Sequence, residues 1–259
     1  MAELPSATTR IDDTAATVAV GTKYVAILAA VPTSADSVPR VFGSSKAIYD
    51  LHGYSEGLEY AALHVQDTKL PVIFCGLPIA TPGTVGRFNA SGNTGTSVVS
   101  CAVGGSGSLA ETDGVVTVVT GGTVGTDQIV LGISLDGGRT SQNVRIGTAT
   151  SYTIPYVGLT LGLTVGSLVA DDTVLTWHST APMWDSAGLA SARAKLAAQQ
   201  KMVRSLVVIG DLTNSTFAGY VTTQVNAYET SNDRFVYARC SVRDRLPDAT
   251  MSDVQSRMT

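Results

Sequence analysis

The chain has 259 residues, a formal net charge of −4 and only 15% charged side chains. No Lys/Arg cluster is longer than a pair, which argues against nucleic-acid phosphate as the main partner and disfavours an anionic membrane surface. No apolar run reaches the ~18 residues a membrane span needs, and the polar start MAELPSATTR has no secretion h-region, so synthesis in a cytosol without export is expected.

A chain of this length buries one large core or two medium ones, and two is the better expectation. Residues 1–17 are polar and without periodicity and read as an extended N-terminal arm. Residues 18–31 (VAVGTKYVAILAAV) form a long apolar run, read as a buried strand. Pro32 and Pro39 bracket a loop. Ser44 is placed to cap a short helix with Ala47, Ile48 and Leu51 on its apolar face, and Gly53 ends it. A second helix starts at Ser55, with Leu58, Ala61, Ala62 and Val65 at helical spacing. Residues 70–76 (LPVIFCG) have the wholly apolar character of a central parallel strand.

Pro78 and Pro82-Gly83 mark a boundary, after which no helical period survives until residue 180. Strands are expected near 97–103, 115–120, 128–135, 141–146, 151–154 and 173–178. Turn signals separate them: Gly104-Gly105, Asp113-Gly114, Gly121-Gly122 and Asp136-Gly137. The sharpest is the hairpin centred on Asp136-Gly137-Gly138. The block contains no lysine and reads as a separate β-sandwich or small barrel. Ala181-Pro182 closes it. A helix capped at Asp185-Ser186 follows, then a parallel strand at 205–211, a helix capped at 213–215, a strand at 234–242, and the start of a last helix at 250–258. The fold class expected is α/β, a mostly parallel sheet with flanking helices, interrupted by an inserted all-β domain. Residues 18–83 and 181–259 make the discontinuous α/β part, which reads as incomplete at the C-terminus, and 84–180 make the insertion.

Chemistry-bearing constellations are sparse. Gly105-Ser-Gly-Ser-Leu-Ala110 fits a loose dinucleotide-binding pattern, but Glu111-Thr-Asp-Gly114 stands where a helix would have to run. P-loop and GxSxG patterns are absent. His52 and His64 lie on or beside helices without HExxH spacing and read as surface or helix-end residues; His178 is the third histidine. Asp136 and Asp171-Asp172 lack the alternation of a hard-cation loop and read as turn residues. Asp211, at the C-terminal end of a parallel strand, is read as a partner of the following helix N-terminus, with a site role as the alternative. Nothing marks a catalytic residue, a cofactor or a metal site, and the chain is expected not to be an enzyme.

Several stretches together resemble the sheath proteins of contractile phage tails, in particular the Mu-like type. They are Val25–Val31, Val41-Phe-Gly-Ser-Ser-Lys-Ala-Ile48, Ile133-Ser-Leu-Asp-Gly-Gly138, Ala181-Pro-Met and Asp233-Arg-Phe-Val-Tyr-Ala-Arg239. The resemblance implies a homo-oligomer of stacked hexameric rings around a tail tube, with the baseplate as a further partner. It implies no cofactor, no nucleic acid and no membrane. Terminal arms would add strands to neighbouring subunits, and the β domain would decorate the outside of the virion tail. Family chains continue beyond the position of Thr259 into a domain that contacts the tube, so the chain is expected to be a part of a sheath protein or a shortened relative.

Of the cysteines, Cys75 sits in an apolar strand and is expected inert, and Cys240 shares a face with Val236 and Ala238 that reads as buried. Cys101, in the outer β block, is the thiol expected to approach solvent or a neighbour. An intersubunit disulfide through Cys101 is the alternative to three free thiols. Two other readings remain. One is a carbohydrate- or receptor-binding virion protein using Tyr152, Tyr156 and Trp177 of the β block. The other is an α/β enzyme with Asp211 in its site.

Overall fold

The computed structural model describes residues 24–155, 157–199, 201, 203–210, 215–232 and 236–240. The expected arm, the cap at Thr213-Asn214, Asp211, Tyr156 and the last helix lie outside them. In chain order the elements are β1 (Tyr24–Ala30), β2 (Arg40–Phe42), α1 (Ser45–His52), α2 (Glu56–Thr68) and β3 (Val72–Leu77). Then come β4 (Val85–Asn89), β5 (Val99–Val103), β6 (Thr112–Thr120), β7 (Gly122–Thr123) and β8 (Ile129–Ser134). They are followed by β9 (Gln142–Gly147), β10 (Ser151–Ile154), β11 (Leu159–Leu163), β12 (Ser167–Leu168) and β13 (Thr173–Ser179). The chain closes on α3 (Ser186–Ala198), β14 (Val203–Ile209), α4 (Ser215–Asn232) and β15 (Tyr237–Cys240). The described residues are thus mixed α/β, with four sheets and four helices.

One sheet has the order β15-β14-β1-β3-β2. Its neighbours pair parallel except β2, which lies antiparallel on β3. The all-apolar runs of β1 and β3 follow from burial on both faces. Ala26, Leu28 and Ala30 pack with Ile73, Cys75, Leu77 and the inward residues of α3 and α4, Leu189, Ala192, Leu196, Val221 and Tyr228. The alternate residues Ile27, Ala29 and Val31 pack with Val72, Phe74, Ile48 of α1, and Leu58 and Ala61 of α2. Three helices start where short polar side chains accept an otherwise orphaned amide: Ser44 from Ala47, Ser55 from Leu58, and Asp185 from Gly188. α2 ends on Lys69 in the left-handed region, φ 57°, with its amide bonded to the Val65 carbonyl.

After β3 the chain leaves this sheet, and it returns only with β14. The two connecting segments run side by side: Ala80 N donates to Met183 O at 2.8 Å, and Met183 N to Thr81 O at 2.9 Å. Between them lie a five-stranded antiparallel sheet, β4-β13-β6-β8-β9, and a three-stranded one, β10-β11-β5. They share one core, in which Val116, Val118, Leu131, Leu175 and Trp177 meet Val99, Ile154, Leu159 and Leu161. That is sandwich packing, reinforced by the small β12-β7 pair. Gly114 is required by this core. A Cβ there would stand 1.9 Å from Cε2 of Trp177, on the strand paired with β6.

The expected strands of the β block all appear, and no helix does. Four strands were not expected there: β4, β7, β11 and β12. β2, which lies between the loop bracketed by Pro32 and Pro39 and the first helix, is a fifth. β11 (LTLGL) carries Gly and Thr between its apolar residues, and β7 and β12 are two residues each, too short for alternation to register. β15 also differs from expectation. Val236 is buried, but Ala238 is exposed and Cys240 only half-buried, so the face shared by Val236, Ala238 and Cys240 is not a buried one.

Candidate functional site

A recess between the two parts of the described structure lies where the start of α2 faces the sandwich. It is a cleft of about 300 Å³ with Glu56, Glu59 and Tyr54 on one side and Glu111, Leu135 and Val157 on the other. Glu56 and Glu59 belong to the first turn of α2, where carboxylates suit the positive end of the helix. Glu56 Oε1 accepts the Glu111 amide at 3.0 Å, which ties α2 to the strand region before β6. The Tyr54 hydroxyl donates to Glu59, and burial together with that carboxylate pushes its pKa far up. The arrangement is acidic and pairs no nucleophile with a base. Among the described residues no group of three or more His, Cys, Asp or Glu side chains is arranged to hold a metal. The sequence showed these glutamates only as helix-start residues and a turn, since nothing local signals that 56 and 111 meet.

Two of the carboxylates singled out from sequence, Asp136 and Asp172, hold loops. Asp136 Oδ1 accepts the Ser134 hydroxyl at 2.8 Å and the Thr140 amide at 2.9 Å, while Oδ2 accepts the Thr140 hydroxyl at 2.6 Å. Those donors, Thr140 foremost, lower its pKa to about 2. The hairpin itself takes Gly137 and Gly138 at φ 74° and 92°. Asp172 Oδ2 accepts the amide and hydroxyl of Thr94 at 2.6 and 2.7 Å, pinning the loop after β4 to the turn before β13. Gly105–Ala110 forms a turn, with Gly107 N bonded to Gly104 O at 2.9 Å and the buried Ser108 hydroxyl on Ala110 O. No helix follows it.

The histidines separate. His178 Nδ1 lies 2.7 Å from Asp113 Oδ1 across the β13–β6 pair. His64 is partly buried on α2, and burial lowers its pKa. His52 is the helix-end residue of the two alternatives, the last of α1, and at 0% exposure it is not on the surface. It turns inward onto Phe42 and Phe74 because Gly76 leaves room for the ring.

No disulfide joins the three cysteines within the chain. Cys75 is buried, and burial pushes its pKa up to about 12. Cys101 is half-buried and packs against the sandwich core from β5, an edge strand, and burial raises its pKa too. Of the aromatic side chains considered for stacking on sugar, Trp177 is 3% exposed and donates to Thr112 Oγ1 at 3.2 Å. Tyr152 packs partly against the same core. Neither forms an open platform.

No protein-family model matches the chain, and no curated protein matches it. Among solved structures it is similar to the crystal structure of the sheath tail protein Lin1278 from Listeria innocua. The two are 12% identical with a TM-score of 0.31, and the match covers 83% of this chain and 46% of that chain. The chain thus spans about half the length of that protein. Among the described residues no helix is long and apolar enough to cross a membrane.

Proposed function

We propose that the chain is a structural subunit of a contractile phage tail sheath, assembled in the host cytoplasm and carried on the virion tail. In this reading β1, β3, β14 and β15 form a mostly parallel sheet with flanking helices, and residues 84–180 are an all-β domain inserted into it. The protein works through its contacts with other copies, the tail tube and the baseplate, without substrate or cofactor. The observation that carries the reading is what the polar residues do. Asp136 and Asp172, two of the carboxylates that the sequence singled out, are each engaged by two or more donors that fix a loop. Such side chains serve shape, which is what an assembly subunit must keep. The sequence resemblance from about residue 18 onward supplies the kind of assembly.

The arm gives the test. In this reading residues 1–17 join a neighbouring subunit by strand addition. Sedimentation velocity on the intact chain should show concentration-dependent assembly. The chain lacking residues 1–17 should sediment as a monomer with its melting temperature nearly unchanged. Loss of folding on deletion, or unchanged assembly, would contradict the arm's role.

A further inference from the structure

His52 is the last residue of α1 and is fully buried. Its ring lies edge-on to Phe42, centroids 6.0 Å apart, and tilted on Phe74 at 5.3 Å. Gly76 of β3 backs the ring so closely that a Cβ would stand 2.7 Å from Nδ1. Nδ1 is 3.4 Å from the Thr33 carbonyl, which suits the tautomer carrying its proton there. Nε2 is buried with no hydrogen-bond partner. Around the ring the loop after β1 is clipped at both ends. Thr33 N donates to His52 O at 3.3 Å, Thr33 Oγ1 to Leu51 O at 3.2 Å, and Ser37 N to Gly76 O at 3.1 Å.

We propose that this corner, made of the end of α1, loop 31–39 and β3, is an acid-sensitive latch that stays shut only while His52 is neutral. A proton from solvent added at Nε2 would create a cation with a buried N–H that has no hydrogen-bond partner in place. The Thr33 and Ser34 carbonyls favour the cation, but burial outweighs them, so protonation works against the clip between Thr33 and His52.

The surrounding charges do not rescue the imidazolium. In the loop and β2, Asp36 is paired with Arg40, and the two act on His52 in opposite directions. Lys195 of α3 donates to the Asp36 carbonyl at 2.5 Å. Cys75 on β3 stays a thiol. On α1, Lys46 and Asp50 pair with each other in solvent. The ionisable groups of α2 (Glu56, Glu59, Tyr60, His64 and Asp67) are not among the main influences on His52. Burial is the dominant influence and lowers its pKa below the usual 6.5. The sign follows. Below pH 6.5 the opened state takes up a proton that the closed state refuses. Closure is therefore weakened by up to ~tenfold per pH unit until the closed-state pKa is reached.

Hydrogen exchange followed by mass spectrometry from pH 7.5 to 4.5, corrected for intrinsic rates, tests the latch on the intact protein. Segments 31–39 and 49–54 should show opening that grows by several-fold to ~tenfold per pH unit below 6.5. Segments of β6 and β8 should not. His64→Gln should keep this slope and His52→Gln should abolish it. A slope that survives His52→Gln, or exchange flat with pH in the wild type, overturns the proposal. If His52→Gln does not fold, the wild-type ring titrated by NMR decides: a pKa below 6.5 supports the latch, and one at 6.5 or above refutes it.

Discussion

The sheet containing β1, β3 and β14 and the sandwich built from β4 to β13 bury their strands in different ways. In the first, central strands are covered on both faces, so β3 is buried along its whole length and its polar backbone is satisfied within the sheet. Packing between side chains of sheet and helices does most of the stabilising. In the second, β6 alternates buried and less buried residues, and much of the shape is carried by hydroxyl and carboxylate pins. Thr112 Oγ1 and Ser179 Oγ lie 2.6 Å apart beneath Trp177, and Ser179 Oγ donates on to the Ala110 carbonyl at 3.0 Å. The difference teaches where each part is fragile: the first to cavities, the second to loss of a polar partner or of a missing side chain's space.

The two tryptophans of the sequence make the contrast measurable, since one lies in each part. Trp184 packs in the helix-covered core beside Phe217, rings 5.9 Å apart, and donates to the Ile209 carbonyl at 3.0 Å. Trp184→Ala should cost about 3–5 kcal/mol. It also leaves Trp177 as the single reporter, whose own unfolding midpoint in urea should move little if the two parts hold separately. A common shift of both would break the contrast. Next, Gly114→Ala drives a methyl into the Trp177 ring and should cost about 1–3 kcal/mol, seen as a lowered midpoint of Trp177 fluorescence with α-helical circular dichroism retained to higher urea. Asp172→Ala frees Thr94 and should cost about 0.5–1.5 kcal/mol. Hydrogen exchange should rise in the loop after β4 and stay unchanged in β14. The smallest effect is acid titration. Asp36, held by Arg40, and Asp136, held by Thr140 and Ser134, both have folded pKa values of about 2, against 3.8 for an ordinary aspartate. Their stabilisation is complete above about pH 4 and is lost as pH falls through 2, so Asp136→Asn should flatten the acid limb of the sandwich melt slightly.

Sequence pattern sufficed where local chemistry decides structure. The apolar runs 18–31 and 70–76, in which β1 and β3 form, the caps at Ser44, Ser55 and Asp185, and the Asp136-Gly137-Gly138 hairpin all depend on neighbours in the chain. It failed where distant residues decide. His52 was legible as a surface or helix-end residue but its burial was not, because nothing near it in sequence shows that Gly76 vacates a seat for its ring. Trp177 looked available for a ligand until β6 supplied Gly114 and Thr112 around it. The cleft between Glu56 and Glu111 joins residues whose only shared feature is the fold. Ala238 is exposed on β15, the terminal strand of its sheet, where alternation alone suggested cover.

The assembly reading stands or falls on what the intact protein forms in solution. Negative-stain electron microscopy of the purified chain across a range of concentrations reads this directly. Rings with six-fold symmetry, or stacked tubes of them, are the expected result. Discrete monomers at every concentration, with the chain folded by circular dichroism, would contradict a sheath subunit.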